Sequence, residues 1–167
     1  MNAFESLAVV SAILSGLVGG VFFAFSVFVM RALAQLPPAS GVSAMQRINV
    51  TVINPLFLAP FLGSAPLLAV TAYVASGAGQ ARSSLWLWAA FLIYTLGSVV
   101  VTLTLNVPRN NRLAGLPPES EAAAAYWPTY VREWLLWNHV RCAASLAASA
   151  ATAIALSAAS LGPPVAA

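Results

Sequence analysis

Residues 134–141 read WLLWNHVR, and the stretch that follows, residues 142–167, contains no charged side chain. Three further uncharged runs cover residues 6–30, 48–81 and 83–108. Each run is longer than the ~20 apolar residues that a helix needs to cross a bilayer. Charged residues make up only 7% of the chain, whereas a soluble domain carries about 25%. We therefore expect an integral membrane protein.

The four runs predict an all-α fold, a bundle of four transmembrane helices that forms a single domain over residues 1–167. The helices are expected at about residues 3–34, 43–75, 84–105 and 120–161. Interfacial helical segments are expected before helices 2 and 4, where polar residues and tryptophans precede the apolar runs. Helix faces rich in glycine and alanine leave association into an oligomer open.

Two short stretches of the chain resemble each other. Residues 33–38 read LAQLPP and residues 113–118 read LAGLPP, so five of six positions are identical. Each stretch follows a predicted spanning helix. The repeat therefore predicts two helical hairpins that arose by internal duplication.

Local signals predict where helices begin, end and approach one another. Ser43 followed by Gln46 is a capping-box pattern, which predicts a helix start at Ser43. Pro108 predicts the end of helix 3, because proline is common just past a helix end. Gly16 and Gly20 predict close packing of another helix against helix 1.

The arginines predict the orientation in the membrane. Arg82 alone lies between helices 2 and 3, whereas the other two connections hold Arg31, Arg47, Arg109, Arg112, Arg132 and Arg141. By the positive-inside rule, loops 35–47 and 109–133 are expected to be cytoplasmic and both termini outside, in a bacterial inner membrane. The arginines form no clustered patch, so no nucleic-acid partner is expected.

The polar side chains concentrate at the depth of these two loops. They are Asn49, Asn54, Asn106, Asn110, Asn138, His139 and Arg141. Trp134, Asn138 and Arg141 share one helix face through spacings of four and three, and Glu133 is placed to pair with Arg141. Tyr94, Ser98, Thr102 and Asn106 form a stripe that should face the bundle interior. These groups either satisfy one another and the broken helix ends, or line a polar pocket for a small hydrophobic ligand.

The residue inventory argues against several kinds of site. The chain has one histidine, one cysteine and four acidic residues, all glutamate. A catalytic metal usually has three protein ligands, so no metal site is expected. A single histidine excludes bis-histidine haem, and the absence of aspartate excludes a Ser-His-Asp triad. No cofactor is therefore expected.

Four segments resemble the anthrone oxygenase-like family of small four-helix membrane proteins. They read FFAFSVFVMRAL at 22–33, INVTVINPLF at 48–57, TLTLNVPRN at 102–110 and WLLWNHVR at 134–141. Members with an assigned role oxidise an anthrone to an anthraquinone. Many members have Pro-Leu-Asn where this chain has Pro108-Arg109-Asn110, which leaves Asn110 in place.

The resemblance implies a cofactor-independent oxygenase of flat, phenolic or anthrone-like molecules. We assign His139 as the general base, with Arg141 and Asn138 stabilising the enolate oxygen or the peroxide formed next. The substrate is expected to contact the following residues: Asn49, Asn54, Thr102, Asn106, Asn110, Trp134 and Trp137. The two tryptophans would stack on the flat rings.

Two other functions remain open from the sequence. A non-catalytic membrane protein could bind a quinone or a lipid, or serve as a small subunit of a membrane complex. A transporter would suit the repeat, but four helices without a buried acidic residue do not favour ion coupling. The expected partners are a hydrophobic aromatic small molecule and membrane lipid.

Overall fold

The computed structural model describes residues 2–160, and this part of the chain forms five helices and no strand. They are α1 (Ala3–Ala34), α2 (Pro38–Thr51), α3 (Pro55–Gly77), α4 (Ala81–Ala114) and α5 (Glu121–Ser160). All except α2 are long and apolar enough to cross a membrane, so the protein is an integral membrane protein. The all-α prediction with four spanning helices is confirmed. The predicted end of the last helix at residue 161 lies outside the described residues.

The four long helices form a bundle in which each helix packs against two neighbours. Helix α1 contacts α3 and α5, and α4 contacts the same two helices from the other side. Helix α2 closes one end of the bundle against the ends of α4 and α5. Its residues Val42 and Met45 join a buried cluster with Leu113 and Tyr130. The site described below lies at this closed end.

Two of the long helices contain π-helical segments. Helix α1 has one at Phe25–Val29, and α4 has two, at Thr95–Val100 and Thr102–Asn106. A π turn holds an extra residue, so it shifts the side chains beyond it around the helix. Such turns are frequent at functional sites. Ser26 and Thr102, both in π segments, contact the site.

The helix predicted at residues 43–75 is in fact two helices, α2 and α3. Helix α2 begins five residues earlier than the predicted start. Helix α2 starts at Pro38, because proline suits the first turn of a helix. The Ser43 capping box does not form, and the Gln46 side chain instead donates hydrogen bonds to the carbonyl oxygens of Leu113 and Leu116, each at 2.9 Å. The chain then breaks between Thr51 and Pro55.

Pro108 does not end helix 3 as predicted. The π segment at Thr102–Asn106 precedes it, and the helix continues to Ala114. A proline at the start of the helical segment Val107–Ala114 is tolerated, because the widened turn before it already disturbs the hydrogen-bond ladder. The segments without helix at this end are consequently short, at residues 35–37 and 115–120.

Small residues allow the helices to approach closely, and only some of the predicted ones do so. A Cβ atom at Gly97 would lie 2.5 Å from Cβ of Ala144, and one at Gly19 would lie 2.8 Å from Leu146. Gly16 faces Ser149, but a Cβ at Gly20 would meet no atom within 4 Å. Gly97 therefore determines how closely α4 approaches α5.

We expect Gly97→Ala to destabilise the protein by about 1–3 kcal/mol, because the added methyl overlaps the Cβ atom of Ala144, which cannot rotate away. The matched control is Gly20→Ala, which adds the same methyl in open space. Thermal unfolding in detergent micelles measures both. Equal melting temperatures for the two variants would contradict this account of the α4–α5 contact.

Candidate functional site

A pocket of ≈ 230 Å³ opens between α1, α2, α3 and α4, with Trp134 and Arg141 of α5 at its inner wall. Its volume is slightly below the ~300–1,000 Å³ that is typical of small-molecule sites. The wall is mainly aromatic and aliphatic, and includes Phe22, Phe25, Phe57 and Phe61. Four polar residues complete the lining: Asn49, Thr102, Asn110 and Arg141.

The aromatic side chains of the wall pack against one another. The rings of Phe57 and Phe61 are stacked with centroids 5.7 Å apart, and Phe22 meets Phe61 edge-on at 6.1 Å. On the opposite side Phe25 lies against Trp134, with centroids 5.5 Å apart. The ring planes of the last two pairs meet at 82° and 54°, so the wall offers both ring faces and ring edges to an aromatic ligand.

Arg141 is the only charged residue in the pocket lining, and it is 5% exposed. Its Nη2 donates to Oδ1 of Asn138 at 2.8 Å, and its Nη1 donates to Oγ1 of Thr102 at 3.3 Å. The guanidinium lies over the rings of Phe22 and Trp134, at 4.3 and 5.0 Å from their centroids. Its Nε is buried without a hydrogen-bond partner.

Glu133 does not pair with Arg141 as predicted. Its Oε2 accepts a hydrogen bond from Nε of Arg109 at 2.9 Å. Arg141 has no carboxylate partner in the part of the chain that the structure describes. The site thus holds a buried cation without an anion, which is costly in an apolar environment unless polar groups or rings stabilise it.

Asn138 connects Arg141 to helix α1. It is fully buried, and its Nδ2 donates to the carbonyl oxygen of Phe22 and to Oγ of Ser26, both at 2.8 Å. Oγ of Ser26 also lies 2.9 Å from Nδ1 of His139. Oγ of Ser26 accepts from Asn138, and its hydroxyl proton donates to Nδ1 of His139 in the tautomer that carries the imidazole proton on Nε2. The shared face predicted for Trp134, Asn138 and Arg141 is confirmed.

His139 and Trp137 do not line the pocket. The imidazole is exposed and borders a separate surface groove with Arg132, Glu133 and Leu136. Its connection to the pocket runs through Ser26, Asn138 and Arg141. The structure therefore does not place the predicted general base beside a ligand in the pocket.

Two of the predicted asparagines have hydrogen-bond partners in the backbone. Asn54 caps helix α3, because its Oδ1 accepts from the backbone N–H of Phe57 at 3.2 Å. Asn106 is buried, and its Nδ2 donates to the carbonyl oxygen of Trp134 at 3.2 Å. Neither residue lines the pocket. The polar stripe to which Asn106 belongs does face the interior, since Tyr94 and Ser98 are fully buried.

Asn49 and Asn110 meet at Tyr130, on the side of the pocket that α2 covers. The Tyr130 hydroxyl donates to Oδ1 of Asn110 at 2.9 Å and accepts from Nδ2 of Asn49 at 3.5 Å. Tyr130 is fully buried, and its ring stacks on Trp127 with centroids 5.7 Å apart. Both asparagines line the pocket, as their predicted role requires.

Sequence reasoning missed the residues that support the site from behind. Ser26 and Tyr130 are such residues, and the pocket phenylalanines Phe22, Phe57 and Phe61 were likewise not selected. A signal was present for two of them, because Phe22 and Ser26 are four residues apart and share a face of α1. Phenylalanine in a membrane helix carries no comparable signal, because it also faces lipid.

The residues present and the comparisons with known proteins define the site further. Within residues 2–160, no three side chains among histidine, cysteine, aspartate and glutamate gather where they could hold a metal ion.

The family model described as Anthrone oxygenase matches residues 56–151, more than half of the chain. The match includes Thr102, Asn110 and Arg141. No curated protein and no solved structure matches the chain.

We expect Asn138→Leu to lower stability by about 2–4 kcal/mol, because it removes one of the two side-chain acceptors of the buried Arg141 guanidinium and the amide donor to two α1 oxygens. Asn111→Leu, at an exposed position of α4, is the control and should stay within about 0.5 kcal/mol of wild type. The measurement is unfolding in detergent micelles. A stable Asn138→Leu protein would show that Arg141 does not depend on Asn138.

Proposed function

The chain belongs to the anthrone oxygenase family, and on that premise we propose that it is a membrane-embedded oxygenase of flat, phenolic or anthrone-like molecules that needs no cofactor. One observation supports this proposal above the others. Arg141, a buried cation that has no carboxylate partner within residues 2–160, lies in the wall of an aromatic pocket. Such a group suits an oxygen atom on which negative charge develops during a reaction.

The chemistry of an anthrone uses that charge directly. Its methylene lies between two aryl rings and para to the carbonyl, so loss of one proton gives an enolate with the charge shared by the carbonyl oxygen. The enolate passes one electron to O₂, and the resulting superoxide and carbon radical combine at the former methylene. The peroxide anion takes back a proton from water, and the hydroperoxide then loses water as the O–O bond breaks and the second proton leaves the carbon. Anthrone and O₂ thus give anthraquinone and water.

In this proposal Arg141 donates to the enolate oxygen and keeps the deprotonated substrate stable in an apolar pocket. Thr102 and Asn138 hold the guanidinium in place through their hydrogen bonds. Phe57, Phe61 and Trp134 provide flat surfaces for the rings. The pocket lining contains no carboxylate or imidazole, so the first proton leaves to water at the pocket mouth.

We propose that His139 acts as a positioning residue and not as the general base. With the imidazole proton on Nε2, Nδ1 of His139 accepts from Ser26 and so orients the hydroxyl oxygen that accepts from Asn138. Asn138 then presents Oδ1 to Arg141. His139 therefore affects the reaction through the orientation of the guanidinium, three hydrogen bonds away.

We expect Arg141→Gln to lower kcat/KM for anthrone oxidation about 100-fold, because a donor aimed at developing negative charge contributes that much in other enzymes. Oxygen uptake by the purified, metal-stripped protein in detergent measures this, after subtraction of the rate without protein. Arg132→Gln removes an exposed arginine and is the matched control. Equal rates for wild type and Arg141→Gln would rule out the proposed role of Arg141.

A pair of His139 variants separates the positioning role from direct base catalysis. Asparagine can present an oxygen where Nδ1 of the histidine lies, so we expect His139→Asn to retain most of the wild-type kcat. His139→Leu removes the acceptor for Ser26 and should lower kcat about tenfold with little change in KM. A general base would be lost in both variants, and equal inactivation of the two would restore the direct role.

A second function is favoured by one observation. The pocket lining contains no carboxylate, imidazole or thiol, so the pocket also suits a quinone that binds without reacting. A quinone carbonyl would accept from Arg141 as an enolate oxygen does. The same oxygen-uptake experiment distinguishes the two functions. A binding protein would bind a quinone but leave the rate of anthrone oxidation at the value measured without protein.

A further inference from the structure

We propose that Asn49 and Asn110 form a second polar subsite of the pocket, which binds a hydroxyl group of the ligand and so selects phenolic ring systems. The inference deepens the proposed function and rests on it. It starts from the hydrogen bonds that Tyr130 makes to the two amides.

Tyr130 uses one polar group of each asparagine and leaves the other free. The Tyr130 hydroxyl bonds to Oδ1 of Asn110 and to Nδ2 of Asn49. The other two amide atoms, Nδ2 of Asn110 and Oδ1 of Asn49, have no protein partner among the residues described. If both amides are turned over, the free groups exchange between the two residues. In either arrangement one donor and one acceptor remain at the pocket wall.

One donor beside one acceptor is the complement of a hydroxyl group, which both donates and accepts. A carbonyl or an enolate oxygen can use only the donor, and it would leave the other amide oxygen unsatisfied. The Arg141 end of the pocket is different, because a guanidinium only donates. That end fits an oxygen that only accepts. The two polar ends thus have different chemical preferences.

The two ends are also separate in space. Thr102, which accepts from Arg141, and Asn110 are eight residues apart on α4, which corresponds to roughly 12 Å along a helix. Leu103 and Val107 line the pocket between them. A ligand that contacts both ends therefore carries its hydroxyl and its carbonyl oxygen at different positions of its ring system.

The buried tyrosine explains why the subsite is preorganised. Tyr130 is held by Trp127 and by its packing in the cluster that α2 closes over. Its hydroxyl holds the side chain of Asn110 on α4 at 2.9 Å and contacts that of Asn49 on α2 at 3.5 Å before any ligand arrives. A preformed pair loses little conformational entropy on binding, so it can discriminate between ligands by their hydrogen bonds.

The test compares two unreactive ligands, 9,10-anthraquinone and 2-hydroxyanthraquinone, which differ by a single hydroxyl. Their dissociation constants are measured by quenching of tryptophan fluorescence, at one detergent concentration so that partitioning into micelles is the same throughout. Asn110→Leu and Asn49→Leu are the test variants. Asn111→Leu, whose side chain is exposed on the same helix, is the matched control.

We expect both test variants to bind 2-hydroxyanthraquinone about tenfold more weakly while binding of anthraquinone changes less than twofold. Asn111→Leu should bind both ligands like wild type. Equal weakening of both ligands would show a change of pocket shape, and no weakening would show that the asparagines contact only water or lipid headgroups. Either outcome overturns the inference, as does a wild type that binds neither ligand.

Oxygen uptake on the same preparations separates this inference from the proposed function. A wild type that discriminates the two ligands through Asn110 but does not oxidise anthrones would keep the subsite and overturn the oxygenase. A wild type that oxidises hydroxylated and plain anthrones with the same dependence on Asn110 would keep the oxygenase and overturn the subsite.

Discussion

A guanidinium inside a membrane protein must replace the water that it loses, and the arrangement around Arg141 follows from this requirement. An aspartate or glutamate would be the simplest partner, but none contacts Arg141 in the described part of the chain. The charge is met instead by Asn138, by Thr102 and by the faces of Phe22 and Trp134. These partners come from α1, α4 and α5. One cation therefore fixes how three helices meet at this depth, and it keeps its charge available to a ligand.

The π-helical turns allow two of these helices to supply polar groups at the same level. Ser26 lies in the π segment of α1 and Thr102 in a π segment of α4. A π turn leaves backbone groups less regularly paired than an α turn, and this cost is accepted where a side chain must be directed inward. The carbonyl oxygen of Phe22, just before the α1 segment, accepts from Asn138. The irregular backbone and the buried asparagine thus stabilise each other.

The sequence predicted the parts of the site that depend on helical spacing. It failed where residues were grouped by their depth in the membrane and not by the side of the helix from which they project. Trp134, Asn138 and Arg141 follow one face of a single helix, and the structure has them in contact. His139 lies at the same depth but about 100° around the helix from Asn138, so it faces away from the pocket. Asn54 and Asn106 were grouped by depth too, and each has a backbone partner instead. Pro108 misled because the preceding π turn, which has no clear sequence signal, accommodates it.

The pocket is better suited to stabilising an anion than to removing a proton. Its polar groups are amides, a hydroxyl and a guanidinium, and the aromatic walls exclude water from the rings of a ligand. For most oxidations this inventory would be insufficient. An anthrone is different, since its enolate is electron-rich enough to reduce O₂ without a metal, and the barrier lies in forming that enolate in an apolar place. Binding alone and catalysis would use the same contacts. They differ in whether Arg141 binds the ligand oxygen more tightly as negative charge develops on that oxygen, which is the condition for a rate increase.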